Sequence, residues 1–183
     1  MDAPLIIENP TGQRECEKAL SRDYGSRKAS CHPSNQSLYP NALSVNLASA
    51  LKERGLQHLA QKSWMIECYP HPSIIECFDL SERHAYKKGR VADKKQGQVA
   101  LAGYLLQLEH SNVLALKIPK ELKVLLSEAY IQSLKGQALK SNEDALDAII
   151  CLYIAGLYQM RVPGKTYGDI ERGYIWVPQM ICI

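Results

Sequence analysis

The chain has 183 residues, 46% apolar and 22% charged, with 22 Lys and Arg against 19 Asp and Glu for a net charge of +3. This is the composition of a folded globular domain able to bury roughly 70% of its unfolded surface, and it excludes disorder over most of the length. No apolar run approaches the ~18 residues of a membrane helix, and Met1-Asp2-Ala3-Pro4 lacks the basic-then-apolar pattern of a signal peptide, so a cytoplasmic protein without a membrane partner is expected.

In chain order, Leu5-Ile6-Ile7 reads as the end of a strand and Asn9-Pro10-Thr11-Gly12 as a turn. Gln13 to Leu20 suits a short helix, and residues 25–41, punctuated by Gly25, Pro33, Asn35, Pro40 and Asn41, read as loop. Leu43, Leu47 and Leu51 recur at helical spacing, with Gly55 placed to end that helix in a left-handed turn. Trp64 to Tyr69 has the aromatic and branched content of a strand, stopped by Pro70 and Pro72, and a short helix is expected over Ser73 to Phe78. Residues 81–96 set Arg83, Lys87, Lys88, Arg90, Lys94 and Lys95 against only Glu82 and Asp93. Such a stretch can meet a phosphate backbone or simply be a solvated loop.

Val99 to Leu108 is apolar at helical period. Leu122, Leu125, Leu126, Ala129, Tyr130 and Leu134 mark one amphipathic helix closed by Gly136. Ser141-Asn142 can cap a further helix from about Glu143 to Met160, and Tyr174 to Val177 forms a last strand before Pro178. Strands mixed with helices predict an α/β or α+β class in a single domain over residues 1–183.

The six cysteines include no C-x-x-C pair, so structural zinc is not expected; Cys68 and Cys151 lie in apolar stretches and read as small core residues. There is no G-x-G-x-x-G and no G-x-x-x-x-G-K-[ST]. Cys31-His32 and Cys68 with His71 set a thiol near an imidazole, but residues so close in sequence rarely face each other as nucleophile and base.

The informative residues are acids in apolar surroundings. Asp147 interrupts a helix that is apolar nearly all round, where a carboxylate must be ion-paired, protonated or metal-bound. Asp144 lies about one turn earlier, and its alternative role is the third position of a capping box begun by Ser141. Glu67 shares a strand face with Met65 and Tyr69, so it points into a cleft or stands on a solvated edge. Asp2 precedes Ala3-Pro4-Leu5 and is otherwise a loose terminus. Acids from separate elements that converge can hold Mg or Mn and cleave a phosphodiester.

Four segments together resemble a bacterial and archaeal family of unknown function that is predicted to comprise nucleases of ribonuclease-H-like fold. They are Asp2-Ala3-Pro4-Leu5 with Thr11-Gly12-Gln13-Arg14-Glu15-Cys16-Glu17; Ile66-Glu67-Cys68-Tyr69-Pro70-His71-Pro72; Tyr86-Lys87-Lys88-Gly89; and Asp144-Ala145-Leu146-Asp147-Ala148 with Tyr167-Gly168-Asp169 and Gly173-Tyr174-Ile175-Trp176-Val177-Pro178. The resemblance implies an α/β, ribonuclease-H-like mixed sheet flanked by helices. It implies catalytic Asp2, Glu67 and Asp147, with metal bound by these and Asp144, and nucleic acid met by Arg14, Lys87 and Lys88. Family members carry strands upstream of the Asp-Ala-Pro-Leu motif, the first with its own aspartate. Here the sequence begins at that motif, so the expected domain is N-terminally truncated. A bare sheet edge would then either self-associate, be covered by residues 25–41, or limit solubility. The alternative function is a non-catalytic nucleic-acid-binding or protein-interaction module.

Overall fold

In the computed structural model, which describes residues 1–179, 48% of the chain is helical and the strands form two two-stranded sheets. The elements run α1 (Glu15–Tyr24), α2 (Leu43–Glu53), β1 (Gln57–His58), β2 (Trp64–Met65), α3 (Pro70–Cys77), α4 (Val91–Gln107), α5 (Lys120–Lys123), α6 (Glu128–Ser133), α7 (Gly136–Gln159), β3 (Gly164–Asp169) and β4 (Gly173–Pro178). β1 pairs parallel with β2, and β3 pairs antiparallel with β4.

The centre is a strip of backbone more continuous than those short strands suggest. Residues 66–68 lie beside β4, joined by the Trp176 N–H to the Glu67 carbonyl (2.9 Å) and a parallel bridge from Cys68 to Trp176. On their other side lies Met1, whose amino group donates to the Ile66 carbonyl (2.8 Å) and whose carbonyl accepts from the Cys68 N–H (3.0 Å). Pro70 begins α3 directly afterwards, which cuts the strand short. Among the described residues the named strands pair as two two-stranded sheets, and the mixed α/β class stands.

β4 is buried on both faces, and its alternation sets the layers. Tyr174 and Trp176 join the larger core with Ile74, Leu101, Leu105, Leu146, Ile150 and Ile154, while Ile175 and Val177 face Cys16, Leu20 and Tyr167. The sheet thus lies between α1 and the group α3, α4 and α7.

Several expected elements are corrected. Leu5 to Ile7 is not a strand; Ile7 and Asn9-Pro10 are bonded instead to Gln36 and Ser37, within the 25–41 loop. The single helix over 122–134 breaks at Ser127, whose hydroxyl accepts from the Tyr130 N–H and starts α6 afresh. α7 starts at Gly136, so Ser141 lies inside it and Asp144 has no capping role. β3 was not anticipated, because Gly164, Lys165, Gly168 and Asp169 give it no apolar alternation. α2 does end as expected, in a Schellman arrangement with Leu56 N–H bonded to Leu51 O and Gly55 N–H to Lys52 O, Gly55 sitting at φ +90°. Its leucine face is not buried, however: Leu43 is 84% exposed and Ala48 is the buried residue of that helix.

Candidate active site

Three segments meet at one end of the central strip: the N-terminus, the loop 79–90, and the first half of α7. Met1 is pinned by its two bonds to the strip, so Asp2 follows from a fixed point. α7 places Asp147 inward, and its side chain is only 12% exposed. The 79–90 loop delivers Tyr86, fully buried, and Lys87.

The Asp147 carboxylate has two partners. The Tyr86 hydroxyl donates to Oδ1 (2.6 Å), and the Lys87 ammonium lies 2.7 Å from Oδ2. Burial and the neighbouring Asp147 push the Tyr86 hydroxyl far above its ordinary range, so it remains a proton donor. The same ammonium is 3.8 Å from Asp2 Oδ2. Desolvation raises the Asp2 carboxyl above its usual value; Lys87 pulls the other way and Asp147 adds to the rise.

Glu143, one turn before Asp147, is buried, and one carboxylate oxygen from each of Glu143, Asp144 and Asp147 lies within 4.8 Å of the others. Lys140 caps the outer side, 2.8 Å from Glu143 and 2.7 Å from Asp144.

Glu67 stands apart from this group. It is 3% exposed and takes a two-pronged contact from Arg14, Nη2 to Oε1 at 2.5 Å and Nη1 to Oε2 at 3.0 Å, with the Leu5 N–H adding 2.9 Å to Oε2. Arg14 is equally buried and also donates to Glu17 (2.9 Å) and to the Ile6 carbonyl (3.0 Å). Burial disfavours a charged guanidinium, but Glu67 outweighs it and holds Arg14 protonated above its ordinary range. Glu17 in turn accepts from the Arg14 and Ser34 backbone N–H groups (3.0 and 3.1 Å). Asp2 and Glu67 line one cavity of about 140 Å³, so the two clusters adjoin, yet Glu67 is paired with Arg14 and Asp147 with Lys87.

The structure therefore brings Asp2, Asp147 and Lys87 together, with Asp144 beside them, and places Glu67 with Arg14. Lys88 is exposed and has no ion-pair partner among the described residues. Glu143 was missed by the sequence reading although its spacing from Asp147 puts both on one helix face. Tyr86 was noted only as part of a motif.

Residues 1–167 match the family described as "Protein of unknown function (DUF429)". The chain belongs to that family. No curated protein and no solved structure matches it. Among the described residues of this DUF429 member, no helix is long and apolar enough to cross a membrane.

The chemistry open to the site follows from its donors. Asp2, Asp147, Glu143 and Asp144 offer only carboxylate oxygens, a set that suits hard cations such as Mg or Mn rather than zinc or copper. The space between Asp2 and Asp147 already accommodates a cation, the Lys87 ammonium.

Proposed function

We propose that this DUF429 protein is a nuclease that hydrolyses phosphodiester bonds in nucleic acid with Mg or Mn held by Asp2 and Asp147, Glu143 and Asp144 standing beside them. The observation that carries this reading is the meeting of carboxylates from the N-terminus and from α7 at one ammonium. A buried acid and a second acid at its lysine leave negative charge that a divalent ion would balance. Bound there, such an ion would polarise a phosphoryl oxygen and lower the pKa of water.

The protein's own groups have separable roles in this scheme. Tyr86 fixes Asp147 through Oδ1 and leaves Oδ2 outward, on the side of Lys87. Lys87 offsets part of the site's negative charge at rest and can turn to a substrate phosphate when a divalent ion takes its place. The Arg14–Glu67 pair clamps the N-terminal segment through the Leu5 N–H and so positions Asp2 from behind. We assign Glu67 and Arg14 to this bracing rather than to metal or phosphate contact.

The second reading is a non-catalytic binding module. It is favoured by one observation: Glu67 and Asp147 are each already neutralised by a basic side chain. Titration with Mg and Mn, followed by cleavage assays on single- and double-stranded DNA and RNA, separates the two. The nuclease reading expects metal-dependent cleavage that falls more than about 100-fold in Asp147→Asn, which keeps the shape and removes the charge. Absence of cleavage on every substrate, or cleavage unchanged in that variant, defeats it.

A further inference from the structure

Next to the acids, a second cavity of about 140 Å³ lies between the end of the central strip and the 79–90 loop. Its wall includes Tyr69, His71, Arg83, His84, Lys87 and Lys88, and none of its lining residues is acidic. The space admits a tetrahedral oxyanion together with waters.

Three features distinguish this cavity from a chance gathering of surface lysines. Among the described residues, Arg83 and Lys88 have no ion-pair partner, whereas Lys87 is already engaged with Asp147 and Asp2. His71 is 94% buried (6% exposed), and its Nδ1 is sealed from solvent without a hydrogen-bond partner. That sealed Nδ1 is not a contact for an occupant of the cavity; its depth shows how firmly the imidazole is set into the wall. Desolvation, with Lys87, Arg83, His84 and Lys88 around it, keeps the His71 imidazole neutral, so Arg83 and Lys88 are the groups that bring unanswered positive charge to the wall.

The wall is also preformed. The His84 ring stacks on Tyr86 with centroids 5.9 Å apart, His71 meets the Tyr86 edge at 5.4 Å, and the His84 Nε2–H donates to the Gly97 carbonyl at 2.7 Å. The loop lies so close to α4 that a Cβ on Gly97 would stand 2.1 Å from the Ala85 carbonyl oxygen.

We propose that this cavity is a seat for a phosphate-class oxyanion, and that its natural occupant is a phosphate of the nucleic-acid strand adjoining the scissile one. The second half of that statement rests on the nuclease reading above; the first does not. Lys87 is shared between the seat and the acids, so it sets the distance between the held phosphate and the proposed metal.

The test uses the full chain in EDTA, so that neither metal nor cleavage enters. Inorganic phosphate is titrated at constant ionic strength, with chloride as the reference, and followed by NMR shifts of the His71 and Arg83 resonances. Saturable shifts are expected. They weaken about tenfold in Arg83→Gln and again in Lys88→Gln, each variant losing one charge-assisted contact. Arg90→Gln removes the same charge from the same stretch, outside the cavity, and is expected to bind as the wild type. No saturable response, or an equal loss in Arg90→Gln, overturns the seat, since only a diffuse positive field would remain.

A second arm replaces phosphate with a short single-stranded oligonucleotide. Displacement of bound phosphate by it, with the same dependence on Arg83, is expected if the strand is the source. A seat that holds free phosphate but ignores the oligonucleotide overturns the strand assignment. Phosphate binding that survives while every cleavage assay is negative leaves the seat intact and defeats only the nuclease reading.

Discussion

Glu67 and Asp147 are both carboxylates in apolar surroundings, and the sequence treats them alike; their partners separate them. Glu67 is bonded to a rigid guanidinium that is itself buried, so removing its charge leaves Arg14 with Glu17 as its one remaining acid among the described residues. Glu67→Gln is expected to destabilise the protein by about 3–5 kcal/mol, the usual result of breaking a buried pair, read from urea unfolding. Asp147 has the flexible, part-exposed Lys87, which can swing to water. Asp147→Asn should therefore cost no more than about 1 kcal/mol while abolishing metal affinity. A stable Glu67→Gln with lost metal affinity would instead make Glu67 a ligand. His71 adds a pH signature. Desolvation, helped by the surrounding cations, lowers its pKa to about 3, from an ordinary 6.5. Above pH 6.5 both folded and unfolded chains hold it neutral and it has no effect. Below that, the unfolded chain takes up a proton that the folded chain refuses, so stability falls on the order of 1 kcal/mol per pH unit towards pH 3. His71→Gln should flatten that slope relative to the wild type between pH 6.5 and 4, measured as the difference in unfolding free energy.

At the level of elements, loop 79–90 shows how a glycine inside a helix can serve a site by letting the site's loop lie against it. Gly97 lets Ala85 and Tyr86 lie directly on α4, the added Cβ falling 2.1 Å from the Ala85 oxygen and 2.6 Å from the Tyr86 Cα. Gly97→Ala must push the loop outward. The expected cost is about 1–3 kcal/mol, together with weaker phosphate and metal binding as Tyr86 leaves Asp147. Gly103, in the same helix, has nothing within 4 Å of its added Cβ. Gly103→Ala should stabilise by about 0.5–1 kcal/mol through helix propensity alone, with binding unchanged. Thermal unfolding of the two variants side by side checks the contrast. The same elements show what the sequence could reveal. Where local chemistry decides, as at the Gly55 turn after α2, the element was legible; α3 was expected from Ser73 but begins at Pro70, the residue read only as stopping the strand. Ser127, Ser141 and Gly136 were misread, because a serine caps a helix only where tertiary packing breaks the chain; Ser127 does so and Ser141 does not. Glu67 and Asp147 stood out as acids in apolar surroundings, and both are buried, whereas the equally buried Glu143 gave no such signal. Which cation Glu67 and Asp147 would each meet was not legible, because Arg14 and Lys87 are equally basic on paper and differ only in how deeply the fold places them.

Across the whole molecule, the proposed centre joins segments far apart in the chain. Asp2 hangs from the edge of the central strip, while Asp147 and Glu143 belong to α7 on the layer packed against β4. An ion shared between them would cross-link the N-terminus to the long helix and bind only the folded chain. Its binding should therefore raise stability as RT ln(1 + [L]/Kd), about 2.7 kcal/mol at one hundred times Kd, or a rise in Tm of roughly 5–10 °C for a chain of this size. EDTA should return Tm to its starting value. Asp147→Asn should abolish the increment, whereas Glu67→Gln, starting from a lower Tm, should keep a reduced one, because it loosens the brace behind Asp2 but removes no ligand of the ion. The increment should also fade on acidification sooner than ordinary aspartates would require. Burial raises the Asp2 carboxyl, so the ion must compete with a proton there at a pH where free aspartate is already ionised. Calorimetric scans with Mg and Mn over a pH series measure all of these; a Tm that does not respond to either ion at any pH excludes a metal bridge between the two segments.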